Sequence, residues 1–279
     1  MLANEPFISV LITAYNRELF LAEAIESVLA SSFKDFELII VDDASSDSSA
    51  AIASGYIEKD ERVKLYVNDK NLGQFANRNK AAAYARGVYI KYLDSDDILY
   101  RDSLQIMAEN LKQFPQAAMG FCLTVGPCIR PLPYLIESQP AIKQHFFEGG
   151  LLFVGPSGLI IKRSVFESLK GFEEYGMPSD NHFSLKLASR FPVLAMKRDL
   201  FWWRLHEGQV FSHNKNNHQN ILNNYRFVKD IAANYSPLSR AENDRILSVQ
   251  KRLFLKNIFR LAFTGNLAEA IRLLKEFSK

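Results

Sequence analysis

The sequence predicts an α/β fold, a mostly parallel central sheet flanked by helices and followed by a helical C-terminal extension. Three observations carry this. Short, almost wholly apolar runs rich in β-branched residues recur at residues 7–13, 36–41, 63–67 and 88–93, as in strands buried on both faces. Segments with helical spacing lie between them, which is the strand–helix alternation of βαβ units. From about Asn220 onward only helical patterns remain.

The elements follow in order. FISVLIT (7–13) is the first strand, and Arg17 to Ala30 continues with Leu21, Ile25, Val28 and Leu29 at helical spacing. FELIIV (36–41) is the second strand and ends in Asp42-Asp43, with Ser46 or Asp47 placed to cap a helix running to about Glu58. Residues 63–67 form the third strand, and Gln74 to Arg86 an alanine-rich helix closed by Gly87. Val88 to Leu93 is the fourth strand and runs into Asp94-Ser95-Asp96-Asp97.

Regularity fades after Pro115. Residues 117–125 read as a strand, 126–140 as a proline-rich irregular loop, 157–162 as a strand and 163–169 as a short helix. Residues 180–190 are helical, 193–196 and 200–205 are short strands, and 206–218 is a polar, mobile stretch. The tail holds helices at 221–233, 241–263 and 267–277, punctuated by Pro237 and Gly265. The expected division is therefore residues 1–214 for the sheet domain and 215–279 for the extension.

Bulk properties narrow the function. The chain has 279 residues, 48% hydrophobic and 23% charged, enough for a substantial core. A net charge of +3 with no basic tract interleaved with aromatics argues against nucleic acid. Cys122 and Cys128 lack partners for a zinc site and suit a reducing compartment. No basic n-region precedes an apolar h-region, and no apolar run approaches about 20 residues, so a cytoplasmic protein is the simplest reading.

The acidic tetrad at 94–97 is the most informative feature. Carboxylates crowd at the end of a buried strand at the cost of mutual repulsion, which a cation or a proton-transfer task would justify. Open α/β sheets bind ligands at that carboxyl edge. Asp94 and Asp96 are two apart, so one turn can aim both at a hard cation and its phosphate ligands. The bland alternative is an acidic turn before the helix that starts near Asp102. The first, second and fourth strands all end in polar residues, which implies a single crevice.

Several segments together resemble a family 2 glycosyltransferase of the GT-A fold. ISVLITAYNRE (8–18) is similar to that family's opening strand and Tyr-Asn turn, and VDDASSD (41–47) to its second-strand motif, with Ala44 in place of glycine. NLGQFANRN (71–79), GVYIKYLDSDD (87–97), SGLIIKRSVFESLKGFEE (157–174) and WWRLHEGQV (202–210) match further segments in the family's order, over roughly residues 7–212. The resemblance implies inverting transfer of a sugar from a nucleotide-diphospho-sugar, uridine being the favoured nucleotide, to an acceptor hydroxyl in glycan or polysaccharide synthesis.

It also implies roles. Asp96 is the direct ligand of Mn²⁺ or Mg²⁺, with His206 a further metal or diphosphate contact. Asp94 and Ser95 contact the ribose or the metal's water shell. Thr13, Ala14 and Tyr15 line the base pocket, and Asp43 accepts hydrogen bonds from the base or ribose. Asp42 is the structural member of its pair. Arg78 faces the diphosphate, or is an exposed helix charge. Asp180 is the catalytic base, with Glu173 and Glu174 as fallbacks; Ser179 replaces the family's glutamate, and Asp180 as a helix N-cap is the alternative.

Two other functions compete. A sugar nucleotidyltransferase would want a glycine-rich basic loop after the first strand, which AYNRELF lacks. A degenerate nucleotide-sugar-binding protein without turnover is the other. In the tail, Arg252, Lys256 and Arg260 form a basic stripe beside apolar residues, either a solvated helix face or a peripheral membrane contact suited to a lipid-linked acceptor.

Overall fold

The computed structural model describes residues 5–123, 130–207 and 217–278. Strands β1 (Ile8–Ala14), β2 (Phe36–Asp42), β3 (Val63–Val67) and β4 (Tyr89–Asp94) lie where the apolar runs place them. They pair in parallel in the order β3-β2-β1-β4, and every residue of β2 is buried. Beyond β4 the sheet becomes mixed. Strands β6 (Met119–Cys122), β7 (Tyr134–Ile136), β8 (Leu159–Lys162) and β9 (Val193–Met196) complete eight strands in the order β3-β2-β1-β4-β8-β6-β9-β7. Here β6 and β9 are parallel, whereas β8 and β7 run against their neighbours. A separate two-stranded ribbon joins β5 (Ile98–Leu99) to β10 (Phe201–Trp202).

Side chains alternate across each strand with period two, which makes two cores. On one face Val10, Ile12, Leu38 and Ile40 pack under α1 (Leu21–Leu29), α2 (Ser49–Ile57) and α4 (Ser103–Gln113). On the other, Leu11, Ile39, Ile90 and Tyr92 pack under α3 (Gln74–Tyr84), α5 (Ser138–Phe147), α6 (Arg163–Ser168) and α7 (Ser179–Ala188). Tyr92, Phe166, Phe172 and Phe183 meet with ring centroids 5.0–6.2 Å apart, anchoring the segment that leads into α7.

The extension comprises α8 (Gln219–Asn234), α9 (Arg240–Phe263) and α10 (Leu267–Phe277). Helix α8 faces two ways: Phe227, Val228 and Ile231 join the main core, and Leu222 joins a satellite core with Phe254, Ile258 and Leu273. Helix α9 opens with a capping box between Ser239 and Glu242. The boundary expected near residue 215 lies outside the described residues.

Four expectations need correction. Gly87 does not close α3, whose last turn ends at Ala85 in an extended conformation. A Cβ at residue 87 would stand 2.5 Å from the Ser9 backbone nitrogen, so glycine is there for the close approach to β1. Residues 17–20 form a turn rather than the first turn of α1: the Arg17 and Glu18 amides donate to Ser49 Oγ and Asp47 Oδ2, and the Phe20 amide bonds back to the Arg17 carbonyl. The stretch read as an irregular loop contains β7 and the start of α5, where Pro140 occupies a first-turn position that needs no amide donor. The strand read at 200–205 is limited to Phe201–Trp202. Cys122 is buried, and burial pushes its thiol up to about 11, while Cys128 and residues 208–216 lie outside the described residues.

Candidate functional site

Register puts three strand ends at one level: Thr13 of β1 is paired with Val41 of β2 on one side and with Asp94 of β4 on the other. The chain therefore leaves all three central strands into a common crevice. The turn after β1 and the loop after β2 are fastened together there. The Asn16 amide donates to Ser45 Oγ and the Ser46 amide to Asn16 Oδ1, both at 2.9 Å. Glu18 N donates to Asp47 Oδ2 at 3.0 Å, and Ser48 N returns to Glu18 Oε2 at 2.9 Å. Tyr15 is left 46% exposed at the mouth, above a partly buried Thr13 and a buried Ala14. Ala44 adopts φ of 59°, the left-handed conformation that glycine accepts freely and alanine at a cost of about 1–2 kcal/mol.

The paired aspartates after β2 divide their work. Asp42 accepts from both the amide and the hydroxyl of Ser45, so it caps its own turn and not α2, whose first amide at Ser49 is taken by Asp47. Asp43 is buried and accepts from Asn68 Nδ2 and from the amides of Leu72 and Gly73, at 2.7–3.0 Å. It thus fixes the 68–73 loop at the entrance to α3. Arg78, on the inward face of α3, is buried rather than an exposed helix charge. Its guanidinium donates to Asp94 Oδ1 at 2.6 Å and lies 5.4 Å from the Phe75 ring.

The four tetrad residues point in different directions. Asp94 is partly exposed and paired with Arg78, and its amide is held by Ser157 Oγ at 2.9 Å. Ser95 is buried. Asp97 turns inward, accepting from the Arg204 amide at 3.2 Å, and burial together with the Asp94 charge pushes its carboxyl up to about 7. Beneath it Lys91 is wholly buried and donates to the carbonyls of Tyr92 and Ser157; burial brings its ammonium down to about 8. Asp96 instead faces the crevice. Its Oδ2 lies 3.0 Å from His206 Nε2 and 3.6 Å from Arg17 Nε. That places a carboxylate and an imidazole, two ligand types suited to a divalent ion, within hydrogen-bond distance of each other at the crevice, with the Arg17 guanidinium beside them. His206 is oriented by the Phe20 ring, whose centroid is 4.4 Å away.

Asp180 lies in the first turn of α7, one residue inside Ser179, so its carboxylate is not the helix N-cap. Burial raises its pKa to about 6, with the Asp94 charge adding to the rise and the Arg78 charge opposing it. Asp180, Arg78 and Asp94 therefore form one electrostatic group, assembled from α7, α3 and β4. Ser179, which stands where the resembled family has glutamate, shapes the turn: its hydroxyl donates to the Gly176 carbonyl and accepts from the Tyr175 amide, both at 2.8 Å.

The fallback bases are engaged elsewhere. Glu173 is ion-paired with Lys186 and gathers with His182 and Asp230 within 4.8 Å. His182 Nε2 is 2.8 Å from Asp230, tying α7 to α8. At about 100° per residue, positions 180 and 182 lie on nearly opposite sides of α7. The Lys186 ammonium already supplies the positive charge in this cluster. Glu174 accepts from the Gly176 amide at 3.2 Å, inside its own turn. Sequence reasoning placed Arg17, Ser157 and Arg204 within its motifs but gave none of them a role. Arg204 donates to the Asp96 carbonyl at 2.9 Å and to Glu23 at 2.7 Å, so it supports the tetrad loop from beneath.

Comparisons with known proteins agree with this arrangement. The family model "Glycosyl transferase family 2" matches residues 9–170. A glycosyltransferase of Haemophilus influenzae, itself uncharacterized, is 39% identical over 131 residues, 46% of this chain and 52% of that one. The GalNAc(5)-diNAcBac-PP-undecaprenol beta-1,3-glucosyltransferase of Campylobacter jejuni is 27% identical over 185 residues, 61% of this chain and 56% of that one. The chain thus spans about half the length of these relatives, and 17–18% of two Rickettsia glycosyltransferases.

Among solved structures, Staphylococcus aureus TarS in complex with UDP-GlcNAc superposes with a TM-score of 0.74 at 19% identity, over 97% of this chain and 80% of that one. The mannosyltransferase PcManGT of Pyrobaculum calidifontis, in complex with GDP-Man and Mn²⁺, gives 0.63 at 16% identity, over 99% and 80%. These likenesses show the GT-A fold. The matched family span covers more than half of the sequence and contains all three strands that meet at the crevice, and the chain belongs to glycosyl transferase family 2.

Proposed function

We propose that the chain transfers a glycosyl group from a nucleotide-diphospho-sugar, a UDP-sugar first, to an acceptor hydroxyl, with inversion. The observation that carries this is the convergence of a buried arginine, Arg78, and a carboxyl of raised pKa, Asp180, on the strand ends that hold Asp94 and Asp96. TarS with UDP-GlcNAc and PcManGT with GDP-Man support the donor class, and the lipid-linked oligosaccharide in the Campylobacter relative's name supports a glycan or lipid-linked acceptor.

The residues assign themselves by chemistry. Thr13, Ala14 and Tyr15 would receive the base, and Asp43 would hold the loop beside it. Arg78 would meet the diphosphate with a guanidinium already desolvated, which strengthens its attraction for an anion. Asp180, ionised above about pH 6, would take the acceptor's proton as its oxygen forms the new bond to the anomeric carbon. The bond to the phosphate oxygen breaks on the opposite face, and the nucleoside diphosphate leaves with the electron pair. Mn²⁺ or Mg²⁺ held by Asp96 and His206 would neutralise charge on the departing diphosphate. Since Ser179 is spent on the turn, its presence in place of glutamate leaves the base intact.

A peripheral membrane contact belongs to the same reading. Phe259 and Phe263 are 64% and 88% exposed on α9, next to the basic Lys256 and Arg260. Among the described residues no helix is long and apolar enough to cross a membrane.

The test is calorimetric titration with UDP, GDP and CDP, first with Mn²⁺ and then with EDTA. One diphosphate should bind, and lose affinity when the metal is removed. Binding of none of the three would overturn the proposal.

A further inference from the structure

A second cavity, of about 770 Å³, lies apart from the strand-end crevice, where the end of α5 meets α8 and α9. Its size is within the range of about 300–1,000 Å³ usual for ligand pockets. Six aromatic residues contribute to its walls, among them Phe147, Phe153 and Tyr225, and Phe153 is 53% exposed. Between them stand the carboxamides of Asn220, Asn224, Gln250 and Asn257. Among the described residues no aspartate, glutamate, lysine or arginine lines it. Two histidines also line it: His218, and His145, which accepts from the Leu152 amide at 3.1 Å and whose pKa burial brings down to about 4.

From this chemistry we propose that the cavity binds a neutral oligosaccharide, the sugars of an acceptor that lie beyond the one that reacts. A carboxamide both donates and accepts, as a hydroxyl does, so four of them match a polyhydroxylated surface. Ring faces carry partial negative charge and pack against the weakly positive C–H faces of pyranoses. No lysine or arginine among the described residues lines the cavity to pair with a phosphorylated or carboxylated ligand. A purely apolar ligand would strip four carboxamides of water and leave them unpaired.

One end of the cavity lies near the turn that leads into α7. A side chain built at Gly176 would meet Asn220 Oδ1 at 3.5 Å, so this end of the cavity abuts the turn that Ser179 closes one residue before Asp180. Only the word acceptor rests on the proposed glycosyl transfer; sugar binding itself stands on the cavity.

The experiment is calorimetry of the full chain with neutral gluco-, galacto- and N-acetylhexosamine tetrasaccharides at millimolar concentration, alongside the corresponding monosaccharides. Side-chain amide NMR signals are followed in the same titrations. At least one tetrasaccharide should bind and shift Asn and Gln side-chain signals, the monosaccharides binding more weakly. Asn224→Ala combined with Asn257→Ala should weaken that binding roughly tenfold or more while metal-dependent UDP, GDP or CDP binding is unchanged. Both positions are exposed, and retained nucleotide binding reports an intact fold. No tetrasaccharide binding, or affinity indifferent to both substitutions, overturns the proposal. If the tetrasaccharide binds as expected and no nucleoside diphosphate does, the glycosyl-transfer reading fails and the sugar site survives; an amide shift lost in the double variant then replaces nucleotide binding as the control.

Discussion

Replacing Asp180 by asparagine should separate stability from catalysis. The carboxyl is raised from 3.8 to about 6, chiefly by burial, so holding it ionised in the folded protein is unfavourable. At 1.36 kcal/mol per unit the difference is at most about 3 kcal/mol, and relaxation around Arg78 brings the expected value to about 1–3 kcal/mol. The sign follows from linkage. The protonated form is favoured by folding, so this contribution is fully present below the unfolded pKa of 3.8 and is lost as pH rises through about 6.

Asp180→Asn removes the ionisation and keeps an oxygen to accept from the Asn181 amide, a bond of 2.7 Å in the parent. The variant should therefore be more stable than the parent at pH 8, by about 2–4 °C of Tm for each kcal/mol, and the advantage should vanish near pH 4. Thermal unfolding at both pH values measures it. Transfer should be abolished at every pH, whereas in the parent it should fall to about a tenth of its plateau at pH 5. A variant less stable than the parent at pH 8, or one that retains transfer, would refute the assignment of a desolvated base.

Four other substitutions, at three positions, probe the framework. Asp96→Ala removes one of the two candidate ligand side chains, and metal-dependent binding of a nucleoside diphosphate should disappear in calorimetry; unchanged binding would remove Asp96 from the metal site. Arg78→Ala leaves Asp94 without its partner and Asp180 without its opposing charge, so donor affinity should fall and the pH midpoint of transfer should rise, with a stability loss of about 1–3 kcal/mol in denaturant titration. Arg78→Lys should not restore affinity, since a single ammonium cannot reproduce the guanidinium geometry. Gly87→Ala should cost roughly 1–3 kcal/mol by the same titration, because the added methyl meets backbone of β1.

The central sheet was legible because β1, β2 and β4 are buried on both faces, which leaves an unbroken apolar run in the chain. Strands β7 and β10 are three and two residues long and sit among prolines or aromatics, so no period can develop within them. The role of Gly87 was misread for a related reason. A glycine one residue past a helix looks the same in sequence whether it turns left-handed or makes room for a neighbouring strand. Only the position of Ser9, 78 residues earlier, distinguishes the two.

The site was legible to the same extent and for the same reason. Side chains that leave the ends of buried strands have few places to go, so Thr13, Asp43, Asp94 and Asp96 could be placed on one edge from local pattern alone. What local pattern cannot supply is the division of labour inside the tetrad. Four consecutive polar residues look interchangeable until distant segments claim some of them. Ser157, 63 residues on, holds the Asp94 amide; Arg204, more than 100 residues on, takes the carboxylate of Asp97 and the carbonyl of Asp96. Lys91 beneath Asp97 completes the claim on that inward carboxylate. Asp96 is turned toward His206 and Arg17. The direction each carboxylate takes is thus set less by the acidic motif than by its distant partners: Arg78 for Asp94, Arg204 for Asp97, and His206 with Arg17 for Asp96.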